Sequence, residues 1–223
     1  MNSIRNKIVI SAIGIILILA GSLANATVIG SNILMNGNAE NGMVSWTPTT
    51  GGFQTQNSGW YSISAPEGSK FFTGGSSNTP STAAQSINIS DLSALVDSGS
   101  LGVSLSAWLG GWASQNDNMV IVADLLDGTL SSLATLIIGP VQAADRSNLT
   151  GFLYRSNALL LPTGTRSIEV TMTATRTAGT YNDGYADDVK LVLSEVADVP
   201  EPATVALIGI GLAGLRFRKK RQT

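Results

Sequence analysis

Apolar and polar residues alternate along several short stretches in the middle of the chain. Residues 101–107 read LGVSLSA, and residues 168–174 and 189–193 repeat the same period of two. Because successive side chains of a β-strand point to opposite faces of a sheet, each stretch predicts a strand with one buried face. Short strands separated by turn residues at such intervals are typical of all-β sandwiches.

A hairpin is predicted where two apolar runs flank a short turn. Residues 119–126 and 130–138 are apolar, and Asp127 and Gly128 between them suit the turn of an antiparallel hairpin. Outside the two ends of the chain, only residues 90–96 suggest a turn of helix. The pattern therefore predicts an all-β fold in residues 27–196, a two-sheet antiparallel jelly-roll sandwich.

The first 26 residues have the order of a secretory signal peptide. Arg5 and Lys7 precede an apolar run over 8–20, and the small residues Ala24 and Ala26 follow it. An apolar helix of about 13 residues rises roughly 20 Å, less than the ~30 Å hydrocarbon core of a bilayer. We therefore expect export through the Sec translocon and cleavage after Ala26. The alternative is a retained N-terminal anchor.

The C-terminal segment, residues 197–223, begins with a break in regular structure. Pro200, Glu201 and Pro202 form it, because proline lacks the backbone N–H and pushes its predecessor toward an extended conformation. An uninterrupted apolar run over 203–215 follows, and a basic run over 216–221 comes next. This order predicts a single transmembrane helix whose basic end is cytoplasmic, which leaves the central region outside.

These three features in this order resemble the PEP-CTERM sorting signal of Gram-negative bacteria. The matching residues are Pro200, Glu201 and Pro202, followed by ATVALIGIGLAGL and RFRKKR. The resemblance implies recognition by an exosortase-type membrane enzyme and removal of the tail. It also implies a transient anchor in the inner membrane and a final location at the cell surface or in the extracellular matrix. The alternative is an ordinary tail anchor, which does not account for the Pro-Glu-Pro motif.

The two end segments mask the charge of the central region. The whole sequence has a formal net charge of −2, but six basic residues face 13 acidic ones between positions 27 and 196. That balance disfavours nucleic acid as a partner, since nucleic-acid affinity depends on neutralising phosphates. The absence of cysteine and histidine excludes disulfides, Ser-His-Asp and Cys-His chemistry, and imidazole ligands for metals.

The first and last predicted strands resemble those of galactose-binding-like β-sandwiches, a superfamily that includes carbohydrate-binding modules. Residues 36–42 read NGNAENG and are followed by Trp46, and residues 185–191 read YADDVKL. Modules of that superfamily commonly begin near N-G-x-F-E and finish near D-x-V-x-L. The chain departs from this pattern at Ala39, where an aromatic residue is usual.

The same resemblance implies a structural calcium ion where the first and last strands meet. In this interpretation Glu40 and Asp187 supply carboxylates, and backbone carbonyls from Gly68 to Lys70 complete the shell. Calcium takes about six to eight oxygen ligands, which these groups and water can provide.

Strand phase predicts that the Asp187 carboxylate needs a partner. Asp187 has the phase of Val189 and Leu191, so we expect it to point into the core, where an unpaired carboxylate is costly. The alternative to calcium is that Asp187 accepts backbone hydrogen bonds or pairs with an arginine such as Arg166 or Arg176.

Exposed aromatic rings serve as stacking platforms in sugar-binding modules, and the chain offers several. The candidates are Trp60, Tyr61, Trp108, Trp112, Tyr154 and Tyr181. Trp108 falls on the polar phase of its strand and Trp112 follows two glycines in a loop, so we assign Trp108, Trp112 and Tyr181 to a predicted ligand site. Rings in a sandwich are more often part of the core, and that interpretation is stronger for Trp46 and Phe71.

The other charged residues favour structural roles. Four arginines lie among polar residues in the later strands, namely Arg146, Arg155, Arg166 and Arg176. We expect them to form surface or edge ion pairs with acids such as Asp117, Asp145, Glu169 or Asp183. The alternative is an anion-binding site. Asp183 lies between Asn182 and Gly184, a composition typical of a loop.

Three classes of function stay open on the sequence alone. We prefer a non-catalytic module that binds polysaccharide, for example exopolysaccharide, or other matrix proteins. A purely structural matrix or coat component needs only folding, export and sorting. A glycoside-active enzyme needs two carboxylates roughly 5–10 Å apart, such as Asp117 with Asp183 or Glu169. Nothing in the sequence marks such a pair, so we predict that the protein is not an enzyme.

Overall fold

The structure is a computed structural model that describes residues 27–76 and 80–196. It contains two five-stranded sheets in which every strand pairing is antiparallel. The first sheet has the order β1 (Thr47–Thr50), β4 (Ser81–Asn88), β9 (Ser167–Thr175), β6 (Asn118–Leu126) and β7 (Ser132–Ile138). The second has the order β2 (Gln54–Asn57), β3 (Lys70–Gly75), β10 (Asn182–Glu195), β5 (Leu101–Gly111) and β8 (Gly151–Leu160).

Helical structure is confined to short turns within the described residues. One α-helix, α1, spans Ser93–Asp97, and 3-10 turns span Trp60–Ser62 and Ser90–Leu92. The turn predicted at 90–96 is confirmed, and so is the all-β, two-sheet sandwich. The predicted signal peptide, the sorting residues Pro200, Glu201 and Pro202, and the predicted membrane helix lie outside the described residues.

The main core lies between the two sheets and follows the predicted alternation. Every second residue of β9, from Ile168 to Ala174, is fully buried, and so is the matching set of β5 from Leu101 to Leu109. Trp46 is also a core residue, as predicted, and its ring meets Phe72 edge-on at 5.7 Å. Among the described residues, all ten strands and both hydrophobic clusters lie within 27–196, and we expect this segment to fold as one unit.

The predicted hairpin forms between β6 and β7, but its loop is longer than a two-residue turn. The N–H of Asp127 donates to the carbonyl of Ser131 at 2.9 Å, and the Asp127 carboxylate accepts from Thr129 and Ser131. Leu130 was expected to open the second strand, yet it has a left-handed φ of 64° in the loop. The Asp127 side chain stabilises the loop by satisfying its backbone N–H groups.

A second, smaller core covers the outer face of the second sheet, the face turned away from the main core. Phe71, Tyr185 and Ile63 are buried there, and Phe152 packs against them. Gly110 lies directly opposite both Tyr185 and Phe152 in neighbouring strands. Because Gly110 carries no side chain, the rings of its two neighbours approach to 5.8 Å above it. Phe71 is therefore a core residue as predicted, but in this outer cluster.

A bulge in β10 changes the predicted direction of the Asp187 side chain. Asp187 pairs with Trp108 and Leu191 pairs with Leu105, with a register shift between them where Asp188 has a φ of 50°. Directly paired residues point to the same face, so Asp187 lies on the outer face with Trp108, whereas Leu191 points into the main core. The prediction that Asp187 shares the phase of Leu191 is wrong, because one extra residue inverts the phase.

The start of β10 also differs from the sequence interpretation. Asn182, Asp183 and Gly184 were expected to form a loop, but they are the first three residues of this strand and all are buried. The Asn182 side chain donates to the carbonyl of Ala174 at 2.9 Å, which secures the start of β10 to β9.

Candidate functional site

An open pocket of about 370 Å³ lies at the ends of β3 and β5 and the beginning of β10. Four aromatic side chains line it. The ring of Trp60 lies 4.7 Å from that of Tyr61 and 4.8 Å from that of Tyr181, and Tyr61 lies 5.4 Å from Trp112. Three of these rings are partly exposed, and Tyr61 is 66% exposed. We call this site the aromatic pocket.

The connection between β2 and β3 presents Trp60 and Tyr61. Gly59 has a φ of 93°, a left-handed conformation that glycine adopts without strain. Its N–H donates to the carbonyl of Ile63 at 2.7 Å, which closes the turn. Because Ile63 is anchored in the outer cluster, the turn is held against the sheet and its two rings face the pocket.

A buried carboxylate shapes the loop that presents Tyr181. The Oδ1 of Asp117 accepts hydrogen bonds from the N–H groups of Thr177 and Ala178 at 2.6 and 3.0 Å, and Oδ2 accepts from the N–H of Asp183 at 3.0 Å. Asp117 is fully buried. A carboxylate that accepts several backbone N–H groups stabilises a loop strongly, so Asp117 fixes the chain on both sides of Tyr181.

A buried guanidinium shapes the loop that presents Trp112. Arg146 donates to the carbonyl oxygens of Gly111 at 2.8 Å and Gln115 at 3.0 Å, and also to that of Leu149. It is 6% exposed, and burial lowers the pKa of its guanidinium. No salt bridge involves it within residues 27–76 and 80–196. The predicted surface or edge ion pair is therefore wrong for Arg146, which binds backbone carbonyls instead.

Two other arginines behave as predicted. Arg166 pairs with Asp97 at 2.7 Å, and Arg155 lies 3.8 Å from Asp145. These pairs are partly exposed and contribute little to stability. Neither Arg166 nor Arg176, the two alternative partners for Asp187, forms a salt bridge with it, and Arg176 forms none with any acid in the described residues.

A protonatable group lies in the wall of the aromatic pocket. Asp183 is 8% exposed, and its Oδ1 accepts a hydrogen bond from the hydroxyl of Tyr185 at 2.7 Å. Burial raises the pKa of the Asp183 carboxyl; the hydrogen bond from Tyr185 opposes this, and the nearby charge of Asp117 adds to it. The pocket therefore holds a carboxyl group that retains its proton to higher pH than an ordinary aspartate.

Polar groups accompany the rings of the pocket. The hydroxyl of Tyr181 accepts hydrogen bonds from the side-chain amides of Gln54 and Gln56, at 2.7 and 3.2 Å. Gln115 also lines the pocket, and its Oε1 is buried without a hydrogen-bond partner in the described residues. Rings flanked by a few fixed polar groups are the usual composition of a small-ligand site.

The structure brings together two of the three predicted ligand residues. Trp112 and Tyr181 both line the aromatic pocket, whereas Trp108 lies on the outer sheet face beside Tyr154, with ring centroids 5.6 Å apart. Trp60 was not among the three predicted ligand residues, yet it lines the pocket and its ring contacts those of Tyr61 and Tyr181. No short motif marks it, because the pocket is assembled from three loops far apart in sequence.

The three carboxylates considered for glycoside cleavage, those of Asp117, Asp183 and Glu169, do not meet in one site. Asp117 does not line the pocket, and its oxygens accept backbone hydrogen bonds. Glu169 lies in the first sheet, opposite Asp124 of β6. Of these acids, Asp183 alone lines the aromatic pocket.

The residues predicted to bind calcium meet at the loop before β3. The Glu40 carboxylate accepts hydrogen bonds from the N–H groups of Ser69 and Lys70, both at 2.7 Å, and from the Ser69 hydroxyl. Gly68 has a φ of 61°, and a Cβ there would lie 2.6 Å from the Glu40 carboxyl, so a side chain at this position would be strained and would displace the Glu40 carboxylate. Asp187 accepts from the N–H of Glu67 at 2.8 Å.

The two carboxylates of this site have opposite pKa shifts. Asp187 is fully buried. Burial raises the pKa of Asp187 to about 7; hydrogen bonds from the N–H groups of Glu67 and Asp188 oppose this, and the charges of Asp188 and Glu40 add to it. Hydrogen bonds, first from Ser69, lower the pKa of Glu40. No set of three or more acidic side chains in the described part of the chain is arranged to hold a metal ion.

The C-terminal segment matches a known sorting motif. Residues 198–221 match the PEP-CTERM protein-sorting motif. The chain therefore carries the sorting signal of an exported protein that is anchored in the membrane before processing. No helix among the described residues is both long and apolar enough to cross a membrane. No curated protein matches the chain.

Solved structures with similar folds share little sequence with the chain. Tailspike protein 4 of bacteriophage CBA120 has 15% identity and a TM-score of 0.49, and the match covers 74% of this chain but only 21% of the tailspike chain. The module TmCBM61, solved with β-1,4-galactotriose, has 15% identity and a TM-score of 0.47 over 72% of this chain and 97% of its own. The xylan-binding CBM22-1 domain of Paenibacillus barcinonensis Xyn10C has 14% identity and a TM-score of 0.42, with coverage of 69% and 88%.

Proposed function

We propose that the mature protein is a surface or matrix component whose sandwich binds polysaccharide without cleaving it. The observation that carries this proposal is the aromatic pocket, in which Trp60, Tyr61, Trp112 and Tyr181 surround an open space of about 370 Å³. A sugar ring has apolar C–H faces and a rim of hydroxyls. Aromatic rings cover such faces well, and the polar groups of the pocket suit the rim.

The carboxylates of the pocket support a binding role over catalysis. Glycoside cleavage needs two carboxyl groups on either side of the scissile bond. Asp183 is the acid that lines the aromatic pocket in the described residues, while Asp117 is engaged with the backbone of the loop. A measurement of reducing-sugar release tests this part of the proposal, and release that Asp183→Asn abolishes would replace the binding role with an enzymatic one.

Affinity gel electrophoresis tests binding directly. We expect residues 27–196 to be retarded in gels that contain a soluble neutral polysaccharide, and Trp60→Ala or Trp112→Ala to remove the retardation. Ile137→Ala is the control, because Ile137 is 51% exposed on the first sheet, away from the pocket. Equal mobility of wild type and both tryptophan variants in every polysaccharide would favour the purely structural matrix role.

Processing by an exosortase-type enzyme is the second part of the proposal. The matched motif at 198–221 supports it. Replacing Pro200, Glu201 and Pro202 with alanine should leave the tail uncleaved and keep the protein in the inner-membrane fraction. Intact mass and cell fractionation measure both effects. An unchanged mass and an unchanged location would show that this enzyme class does not process the chain.

A structural calcium ion at Glu40 and Asp187 is a separate proposal, supported by charge. Burial, together with the charges of Asp188 and Glu40, disfavours the ionised form of the Asp187 carboxyl, and a cation beside it would stabilise that form. Carbonyls between Gly68 and Lys70 are the further ligands that the superfamily resemblance implies. Calcium has to compete with the N–H groups that these carboxylates already accept.

A melting experiment decides between calcium and the hydrogen bonds. Millimolar calcium should raise the melting temperature of residues 27–196 relative to the same protein in chelator, and Asp187→Asn should abolish the rise. Asp97→Asn is the control, since Asp97 is an exposed acid paired with Arg166. An equal melting temperature with calcium and with chelator would mean that hydrogen bonds alone hold the site.

A further inference from the structure

We propose that the ligand is the interior of an extended, neutral polysaccharide chain that crosses from the aromatic pocket to a second cleft at Trp108. This inference rests on the proposed binding function and adds the shape and charge class of the ligand. It follows from three features of the outer sheet face: a second ring-lined cleft, a shared wall between the two clefts, and the absence of basic residues from the described lining of both.

The second cleft has a volume of about 460 Å³ and is formed by the loop before β3 and the beginning of β8. Trp108 lines it together with Phe152, Ile63 and Pro66. The Trp108 side chain belongs to neither hydrophobic core and is half-buried. Its ring meets that of Tyr154, which is 50% exposed. Rings that no core requires are available for a ligand.

One short segment of chain separates the two clefts. Trp60 and Tyr61 line the aromatic pocket, and the next residues, from Ser62 to Pro66, line the second cleft. Ile63 holds this segment down on the outer cluster. The two clefts are therefore neighbours on one surface, with a common wall.

The strand register gives the direction in which the clefts follow each other. Trp108, Gly110 and Trp112 are alternate positions along β5 and just beyond its end, and the first two lie on the outer face. At about 3.3 Å per residue, Trp108 and Trp112 are roughly 13 Å apart along the strand. That length corresponds to a few sugar rings in an extended chain. A single terminal sugar occupies one cleft and leaves the other empty.

The charge of the surface selects the class of polysaccharide. No lysine or arginine lines either cleft among the described residues, and Asp183 contributes an acidic group to the aromatic pocket. The region from 27 to 196 is itself acidic. An anionic polysaccharide would therefore meet no basic side chain in the described lining of either cleft, and Lys190, which lies near Tyr154, is already paired with Asp188. A neutral chain needs no such partner.

Oligosaccharide titrations test the two-cleft arrangement. Residues 27–196 are titrated calorimetrically with xylo-, cello- and β-1,4-galacto-oligosaccharides from disaccharide to octasaccharide. We expect affinity to rise with length in at least one series. Trp108→Ala should weaken binding of the long members by about tenfold or more, the usual effect of removing a central interface ring, and leave the disaccharide unchanged. Trp112→Ala should weaken binding of both.

Control variants separate loss of the ring from loss of the fold. Trp108→Phe keeps an aromatic ring and should retain most of the affinity for long chains, while melting temperatures show whether each variant is folded. If Trp112→Ala weakens binding but Trp108→Ala binds long chains like wild type, the second cleft is not used and the proposed function stands. If wild type binds neither the neutral series nor polygalacturonate, both proposals are wrong. Tighter binding of polygalacturonate than of the neutral series would overturn the charge class.

Discussion

The guanidinium of Arg146 lies 2.8 Å from the carbonyl oxygen of Gly111, to which it donates a hydrogen bond. The same group reaches Gln115, four residues further along, at 3.0 Å. Gly111 is the last residue of β5 and Gln115 lies in the connection to β6, so the two carbonyls flank Trp112 in the sequence. The buried cation therefore fixes the spacing of this loop from beneath, and the position of the Trp112 ring depends on it.

Replacing Arg146 should damage both stability and binding. Arg146→Ala leaves several carbonyl oxygens without their donors, and each unsatisfied buried group costs about 1–3 kcal/mol. We expect a fall in melting temperature of several degrees and weaker retardation by polysaccharide. Arg155→Ala is the matched control, because Arg155 is partly exposed and its ion pair with Asp145 is long, at 3.8 Å. Equal melting temperatures for these two variants would contradict the structural role of Arg146.

The strands of the sandwich are predictable because their signal is local. The alternation at 101–107 and 168–174 specifies which residues face the core, and both predictions are confirmed. Asp187 fails the same argument because a bulge at Asp188 inverts the phase of the strand. A positive φ is accessible to aspartate but not specific to it, so the sequence does not mark the bulge.

The aromatic pocket is only partly predictable because strand order creates it. Trp60, Trp112 and Tyr181 lie in three separate connections, and they meet because β3, β10 and β5 are neighbours in the second sheet. The sequence shows that rings are present but not which loops adjoin. The buried role of Arg146 is hidden for the same reason, since its carbonyl partners Gly111 and Gln115 are more than thirty residues away in the sequence.

Asp117 should be as important for the Tyr181 loop as Arg146 is for the Trp112 loop. In Asp117→Asn one oxygen still accepts from Thr177 and Ala178, but the new amide faces the N–H of Asp183, donor against donor. We expect a loss of about 1–3 kcal/mol in the free energy of unfolding, measured with urea, together with weaker polysaccharide binding.

Asp124→Asn provides the comparison for this prediction. Asp124 lies on β6, which begins one residue after Asp117, and it is only half-buried. Its replacement should change the free energy of unfolding by less than about 0.5 kcal/mol, as is usual for surface substitutions. Should Asp117→Asn be equally mild, the loop does not depend on the carboxylate.

The stability of the fold should depend on pH through Asp183. Burial raises the pKa of this carboxyl above its value of 3.8 in the unfolded chain. The folded state then binds the proton more tightly, so this group's stabilising contribution is greatest below pH 3.8 and decreases as pH rises through the folded pKa. In Asp183→Asn an acceptor remains for the Tyr185 hydroxyl but nothing titrates. The free energy of unfolding of wild type relative to this variant should therefore fall with rising pH.

Asp97→Asn is the control for the pH series. The free energy of unfolding of wild type relative to Asp97→Asn should rise with rising pH, which is the opposite slope. Arg166 holds the pKa of Asp97 below its usual value, so this pair stabilises the fold at higher pH and the contribution is lost as pH falls. Urea unfolding of wild type and both variants across the same pH values measures the two slopes. Slopes of the same sign would mean that burial does not raise the pKa of the Asp183 carboxyl.

Cleavage of the signal peptide after Ala26 should create an ion pair at the mature N-terminus. The backbone nitrogen of Thr27 lies 2.7 Å from one oxygen of Asp91, and its hydroxyl lies 3.0 Å from the other. Cleavage turns that nitrogen into an ammonium group. We expect protein beginning at Thr27 to melt at a higher temperature than protein that retains Ala26, by an amount typical of an exposed ion pair, about 0.2–1 kcal/mol. The difference should vanish in Asp91→Asn, and a mass measurement of the exported protein that places the first residue elsewhere would refute the pairing.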